Sequence, residues 1–312
     1  LADSLAAYEA LLWHFERYRE ALPLAQRVVE IRSRVLPPDD RALASAHYLL
    51  AEAHRTLGNF AQAEALHRKA ISIWRLQGDR YASDIAASLH YLGAMRWNLG
   101  DLPGARRLIA QALELRERTQ GANSEAVASE LNTLGLLSDA LKEDRAAMAL
   151  FDRAQAIWEQ SLGESHPNVA RTLTNKARLL SGAGEQGQAR HYLEEALQIR
   201  TQAFGADHYL VARSLADLAR LDVITGDYSR AEDLFGRALA IQRKDPEARG
   251  PELAASLDDA HHFEDLPAEA PPAPADEPWS LSAPEAGRDE TALPAVAAVN
   301  ADVPDDGASL TD

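Results

Sequence analysis

A chain of 312 residues is long enough for two ordinary domains or for one extended array of repeats. With 46% hydrophobic but only 6% aromatic residues, the composition favours Ala- and Leu-rich helices over sheets. The absence of cysteine excludes disulfides and cysteine-ligated metal clusters, and the net charge of −16 disfavours binding to nucleic acid and to anionic membranes.

The beginning of the chain shows no targeting segment. No apolar run reaches the length needed to span a bilayer, and no signal peptide is visible. Because the chain opens with Leu1 and not with Met, we expect an excised or processed piece whose true N-terminus is missing. The sequence favours a cytoplasmic location and leaves an export signal ahead of Leu1 open.

The same residue types recur every 42 positions from the first unit to the sixth, without insertion or deletion. An alanine series runs through Ala21, Ala63, Ala105, Ala147, Ala189 and Ala231. Turn glycines share one register at Gly58, Gly100, Gly184 and Gly226, with Lys142 as the exception.

Each unit reads as two helices. In the third unit, Leu89, Leu92 and Gly93 lie on one face of a first helix, which we name helix A. Helix B follows the turn, with the same spacing at Ala105, Leu108, Ala112 and Leu115. Small residues on both helices allow close packing, and Trp74 and Trp158 share a helix-B register that predicts packing between repeats.

The linkers between units contain turn formers such as Pro37-Pro38-Asp39-Asp40 and Gly163-Glu164-Ser165-His166-Pro167. Asp and Ser in these linkers suit the N-cap of the next helix A. After the sixth unit, Pro251 to His262 reads as one more helix A. His261 replaces the small packing residue there, which predicts a C-terminal cap. Glu9 takes the same register in the first unit, so that helix A is either an N-terminal cap or a helix that has lost a neighbour.

The small-residue spacing of the paired helices resembles that of tetratricopeptide repeats. The 42-residue period and segments such as Arg237-Ala238-Leu239-Ala240-Ile241 and His166-Pro167-Asn168-Val169-Ala170 resemble the kinesin-light-chain-like subclass. The resemblance implies an all-α fold: a right-handed α-solenoid of six helix-turn-helix units plus a C-terminal capping helix, followed by a disordered tail. The Ala-, Arg- and Leu-rich usage suggests a bacterial source.

Two regions are therefore predicted. Residues 1–262 form the superhelix, with units at approximately 1–38, 39–80, 81–122, 123–164, 165–206 and 207–248 and the cap at 250–262. Residues 263–312 form an acidic, Pro- and Ala-rich tail with too little apolar surface to fold. From Glu264 to Asp312 there are 12 acidic residues and one basic residue, Arg288.

The resemblance also implies that helix A lines a concave groove in which a peptide binds. Arginines seven apart within a helix and 42 apart between units predict a basic patch on that groove, suited to bidentate binding of carboxylates. The four are Arg171, Arg178, Arg213 and Arg220. They can equally lie on an ordinary solvated face, and Asp217, four residues after Arg213, is placed to neutralise it.

Other groove candidates are aromatic and amide side chains. Tyr48, His90, Tyr91 and Trp97 predict a flat area for apolar ligand groups, although Tyr48 and Tyr91 can also serve packing between units. Asn132 and Asn175 fall in a segment that resembles the family's Leu-Asn-Asn-Leu pattern, which implies hydrogen bonds to a ligand backbone.

The sequence contains no convincing motif of an enzyme or of a cofactor site. Gly182-Ala183-Gly184-Glu185-Gln186-Gly187 matches GxGxxG, but Gly184 is a turn glycine and the segment follows a helix where a dinucleotide site needs a strand. The ten histidines follow no metal-ligand spacing. We expect no enzyme activity, no cofactor and no metal.

The sequence therefore predicts an adaptor or scaffold whose partner is a peptide of another protein, acidic and with an apolar anchor. One alternative is that the tail, around Asp276-Glu277-Pro278-Trp279-Ser280, occupies the groove itself. Another is that the array is the regulatory segment of a larger enzyme or signalling protein. The oligomeric state stays open.

Overall fold

A computed structural model describes residues 1–15 and 17–244. Within this part the chain forms twelve α-helices, one short 3-10 helix and no strand. The first six helices are α1 (Ala2–His14), α2 (Tyr18–Val35), α3 (Arg41–Thr56), α4 (Phe60–Leu76), α5 (Ala82–Asn98) and α6 (Leu102–Gln120). The next six are α7 (Glu125–Ala140), α8 (Asp144–Leu162), α9 (Pro167–Gly182), α10 (Gln186–Phe204), α11 (Tyr209–Thr225) and α12 (Tyr228–Lys244). The 3-10 helix spans Asp79–Tyr81.

The described residues divide into two compact bodies. We name Leu1–Met95 the N-terminal body and residues 96–244 the C-terminal body. Within each body, consecutive helices pack as pairs such as α3 with α4 and α7 with α8. Odd-numbered helices take the helix-A position of the repeat and even-numbered helices the helix-B position. The predicted C-terminal cap at 250–262 and the tail at 263–312, with Trp279, lie outside the described residues.

Linker side chains cap the A helices as the sequence predicts. Asp40 accepts a hydrogen bond from the backbone N–H of Ala42, and Ser124 accepts one from Val127. In the same register, His166 and His208 perform this function with Nδ1 as the acceptor at 3.2 Å. An imidazole cap was not predicted, because only Asp and Ser were assigned that role.

The turns between helix A and helix B use left-handed backbone. Gly58, Gly100, Gly184 and Gly226 have φ between 78° and 83°. Lys142 takes the same conformation at φ 62° and is the one non-glycine residue in the described chain with positive φ. Left-handed backbone costs conformational free energy for a residue with a side chain, so Lys142 is strained where the other repeats place glycine.

In the C-terminal body, small residues let consecutive helices approach closely. Trp158 is completely buried among Val127, Val169 and Leu173, which confirms its predicted packing between repeats. A methyl group built at Gly135 of α7 would lie 2.4 Å from the Phe151 ring of α8. Only a glycine fits against this phenylalanine, which explains the residue at that position.

The A helices of the C-terminal body lie beside one another, because α9 contacts both α7 and α11. Exposed ion pairs also link successive repeats there, including Arg106–Glu143 at 2.8 Å and Arg153–Glu117 at 2.6 Å. Such exposed pairs contribute little stability individually, about 0–1 kcal/mol each.

The outer face of α1 in the N-terminal body is apolar. Tyr8 is 50% exposed, whereas Leu50 and Leu92, at the equivalent positions of the next two repeats, are buried. Leu11 on this helix and Phe15 directly after it are also exposed.

Candidate functional site

The sequence-predicted groove residues of the C-terminal body lie on a common face of α7, α9 and α11, which we name the A-helix face. It is defined by Asn132, Leu136, Asp139, Arg171, Asn175, Arg178, Arg213 and Arg220. Asn175 Nδ2 donates a hydrogen bond to Asn132 Oδ1 at 2.9 Å. This bond joins two adjacent A helices, so equivalent positions of neighbouring repeats meet on one surface.

The asparagine pair differs from the ligand-binding role that the resemblance implied. Asn132 is only 4% exposed and already bonds Asn175, so little of its amide is available to a ligand. Asn175 is half-buried. The two amides therefore hold α7 and α9 in register, with Asn175 as the member nearer to solvent.

Arg178 and Arg220 have carboxylate partners within the face. Arg178 Nη2 lies 2.5 Å from Asp139 Oδ2 of the preceding repeat, and both side chains are largely buried. Arg220 Nη1 donates to Asp217 Oδ1 at 2.9 Å, three residues earlier on α11. The sequence had matched Asp217 with Arg213. The structure shows it with Arg220, because the i, i+3 spacing brings these groups together.

The other two arginines complete the patch. The Arg171 guanidinium stacks on the Trp158 ring with its carbon 4.8 Å from the centroid, a cation–π contact that fixes it at the surface of the core. Arg213 lies two turns before Arg220 on α11 and is partly exposed. By the register, all four arginines belong to the A-helix face, and Asp139 and Asp217 on the same face make it less positive than the sequence predicts.

The predicted aromatic area is largely a packing cluster in the N-terminal body. Tyr48 packs against the rings of His67, Trp74 and Tyr91 at centroid distances from 5.7 to 6.4 Å. Burial, followed by the neighbouring Tyr91 and Glu52, raises the pKa of Tyr48. Tyr48 and Tyr91 keep partly exposed edges, and His90 lies beside Tyr91 at 5.6 Å.

Trp97 takes a different position. It belongs to the C-terminal body, where it packs against Ile109, Leu134 and Leu137 and is only 8% exposed. It is a core residue that presents little more than an edge to solvent. The sequence predicted Trp97 as a groove residue, but its ring packs between helices.

The N-terminal body contains a buried polar cluster that the sequence did not predict. Glu52 Oε1 lies 3.0 Å from His67 Nε2, and its carboxylate also accepts from Arg55 at 2.9 Å. Burial raises the pKa of Glu52, but hydrogen bonding to His67 and the charge of Arg55 outweigh it, so the pKa is lowered. A signal was present, since His67 takes the register of Ile109, Phe151 and Leu193.

His67 also meets Ser88, with 3.3 Å between Nδ1 and Oγ. Serine, imidazole and carboxylate thus lie in line as in a hydrolase triad. His67 and Ser88 are completely buried, however, so no substrate reaches the hydroxyl. The cluster ties α3, α4 and α5 together within the N-terminal body.

The glycine-rich segment at 182–187 covers the end of α9 and the start of α10. Gly184 has φ +83° and makes the turn between the two helices, as the register predicts. Within residues 1–15 and 17–244, no group of three His, Asp or Glu side chains is arranged to hold a metal ion. In the same residues, no helix combines the length and apolarity required to cross a membrane.

Comparison with known proteins gives the family. Tetratricopeptide repeat profiles match residues 9–75, 85–125, 140–202 and 187–244, together more than half of the chain. No curated protein matches the sequence significantly.

Solved structures with similar folds include kinesin light chain-like proteins. BtubC (BKLC) from P. vanneervenii has a TM-score of 0.63 at 21% identity, covering 73% of this chain and 91% of its own. A putative kinesin light chain from Podosopora anserina with nearly identical TPR-like repeats has a TM-score of 0.55 at 20% identity, with coverage of 65% and 96%. The apo form of RapI has a TM-score of 0.64 at 13% identity, with coverage of 84% and 92%. The chain belongs to the tetratricopeptide repeat family.

Proposed function

We propose that this chain is an adaptor or scaffold that binds a peptide segment of another protein on the A-helix face of the C-terminal body. Tetratricopeptide repeats generally serve as protein-interaction modules, so the class follows from the family. The ligand chemistry proposed is an acidic segment with an apolar anchor. The proposal is supported by the register that assigns Arg171, Arg178, Arg213 and Arg220 to this face.

The contacts within the face indicate how a carboxylate would bind. Arg178 Nε is buried and has no hydrogen-bond acceptor among the described residues, so the guanidinium has a donor left beside its pair with Asp139. A guanidinium carries five N–H donors and can hold two carboxylates at once. A ligand carboxylate would therefore join Asp139 at Arg178 or displace it.

Apolar side chains on the same surface support the anchor. Leu136 of α7 and Val223 of α11 are partly exposed. Each lies within one turn of a charged member of the face, Asp139 and Arg220 respectively. An apolar ligand side chain next to an acidic one matches this alternation. Tyr48, His90 and Tyr91 stay a separate candidate area in the N-terminal body.

A peptide-array screen followed by fluorescence anisotropy tests the proposal. In the peptides that the screen identifies, Arg178→Glu with Arg220→Glu should weaken binding by at least about 100-fold, since each of the two charge-assisted pairs is worth about 1.5–3 kcal/mol. The matched control is Arg107→Glu with Arg145→Glu, which places the same charge change on exposed positions of α6 and α8. Circular dichroism should show an unchanged helix content in both. Equal affinity of the two double variants would refute the assignment.

The acidic tail offers a second candidate ligand for the same arginines. Residues 264–312 have 12 acidic residues against one arginine and contain Trp279 beside Asp276 and Glu277. This charge is opposite to that of the patch and would make the tail an internal competitor. Deletion of residues 264–312 should then raise the affinity of the face for an added peptide. An unchanged affinity would exclude the internal competitor and leave the peptide site intact.

A further inference from the structure

An open cleft of about 390 Å³ lies in the N-terminal body between α2, α3 and α4, and none of the residues that line it is assigned to peptide binding. Its polar lining consists of His47, Lys69, Ser33 and Ser72, and Leu43 and Ile73 contribute to its apolar wall. The volume falls within the range of small-molecule sites. The arrangement of an apolar wall with a few polar groups is also typical of such sites.

His47 is the first sign that the cavity is more than a packing defect. The side chain is only 8% exposed, and its Nδ1 has no hydrogen-bond partner among the described residues. Leu89, Leu131, Leu173 and Leu215 hold the equivalent position in the later repeats. A buried polar atom without a partner is costly, so a histidine in a leucine register points to a partner outside the described residues.

Lys69 is the second sign. It lines the cavity, is exposed, and makes no ion pair among residues 1–15 and 17–244. Two repeats later, the equivalent residue Arg153 pairs with Glu117 at 2.6 Å. The residue equivalent to Glu117 is Ser33. The position that holds a carboxylate in the later repeat therefore holds Ser33 here, and Lys69 lies beside an open volume.

The two serines define the rest of the ligand. Ser33 Oγ donates to the carbonyl of Val29 and Ser72 Oγ donates to the carbonyl of Lys69, each at 2.7 Å. Because both hydroxyl protons are engaged, these oxygens can only accept from a ligand. The cavity thus offers a cation, an imidazole, two acceptors and an apolar wall.

We propose that this cavity binds a small carboxylate that has an apolar side chain and an N–H donor, with Lys69 pairing with the carboxylate and His47 donating to it. N-acylated apolar amino acids have this chemistry, and so does the free C-terminal residue of a peptide. The ligand carboxylate would occupy the place that Glu117 takes in the later repeat. Burial and then the charge of Lys69 lower the pKa of His47 to about 4. A bound anion would raise this pKa and favour protonation of His47.

The experiment is an NMR titration of the full chain with N-acetyl-leucine, with N-acetyl-leucine amide as the uncharged control. We expect saturable shifts at residues lining the cavity with the acid and at least about tenfold weaker binding of the amide, since a charge-assisted hydrogen bond is lost. The His47 pKa should rise when the acid binds. Equal binding of acid and amide, or no saturable binding up to the solubility limit of the acid, would overturn the proposal.

Variants identify the groups. Lys69→Gln should weaken binding of the acid about tenfold, whereas Lys142→Gln, an exposed lysine of the C-terminal body, should leave it unchanged. Ser33→Glu restores the carboxylate of the Glu117 register, so it should pair with Lys69 and abolish binding without loss of helix content. If Ser33→Glu binds the acid as tightly as the unaltered chain, the proposal is wrong.

Two peptides ending in leucine, one with a free C-terminus and one amidated, separate the two sources. Tighter binding of the free-terminus peptide than of N-acetyl-leucine would assign the site to a protein C-terminus. Tighter binding of N-acetyl-leucine would assign it to a free metabolite. A preference of the cavity for the amidated peptide would contradict the recognition of a carboxylate altogether.

Discussion

Arg178 of α9 and Asp139 of α7 form an ion pair of 2.5 Å that joins two successive repeats on the A-helix face. Both side chains are largely buried, so the pair is less screened by salt than an exposed one. It stabilises the contact between repeats and also occupies an arginine that the proposed ligand needs. The same carboxylate is thus a structural partner and a competitor of the ligand.

Asp139→Asn should therefore strengthen binding of an acidic peptide to the A-helix face. The amide keeps the shape of the side chain but removes the competing charge, and we expect affinity to rise by about three- to tenfold. Fluorescence anisotropy with a peptide from the screen measures the change. Asp144→Asn, at the start of α8, removes an equal charge at an exposed position and should have little effect. A weaker complex with Asp139→Asn would show that the aspartate helps to position Arg178.

The helix pairs of the fold could be predicted from the sequence because a helical repeat is specified locally. Gly184 and Ala189 lie at fixed places in the 42-residue register, and the turn and the close helix packing follow from their size and backbone freedom. The caps at Asp40 and Ser124 were predictable for the same reason.

The side-chain partners could not be predicted, because they depend on rotamers and on distances between helices. Arg220 and Arg213 both lie within four residues of Asp217, and the structure shows the ion pair with Arg220. Trp97 has the helical spacing of a groove residue, but its ring packs in the core. The buried pair Glu52 and His67 had a signal, a polar residue in an aliphatic register, that helical periodicity alone does not reveal.

Gly135→Ala should destabilise the C-terminal body because the new methyl group would collide with the Phe151 ring. Overpacking of this kind costs about 1–3 kcal/mol. Urea unfolding followed by circular dichroism measures the loss. Phe151→Leu adopts the residue that Leu193 provides in the next repeat, so combining it with Gly135→Ala should recover part of the stability. Purely additive losses in the double variant would contradict the collision as the cause.

Lys142→Gly should stabilise the chain, since Lys142 has φ 62° at a turn where the other repeats place glycine. Removing the side chain relieves left-handed strain of about 1 kcal/mol, partly offset by the greater freedom of glycine in the unfolded chain. The free energy of unfolding, measured with urea, should rise by a few tenths of a kcal/mol or more, and the melting temperature should rise with it. Lys142→Ala removes the same charge but keeps the strain, so it serves as the control and should not stabilise.

The stability of the N-terminal body should fall in mild acid because of His47. Burial, with the charge of Lys69, lowers the pKa of His47 from 6.5 to about 4. The folded chain therefore keeps His47 neutral while the unfolded chain takes up a proton below pH 6.5. The contribution of neutral His47 to stability is fully present above pH 6.5 and decreases as the pH falls. The decrease ends near pH 4, where the folded chain also takes up the proton. A difference of this size corresponds to about 3 kcal/mol.

His47→Leu tests this origin, since leucine is the residue of the equivalent positions in the later repeats. Urea unfolding between pH 7 and pH 4 should show a smaller loss of stability in the variant than in the unaltered chain. His54 provides the control, because it lies on the same helix and is more exposed than His47. His54→Leu should keep most of the pH dependence between pH 6.5 and about 4. If both variants lose stability as steeply as the unaltered chain, another group controls the acid sensitivity.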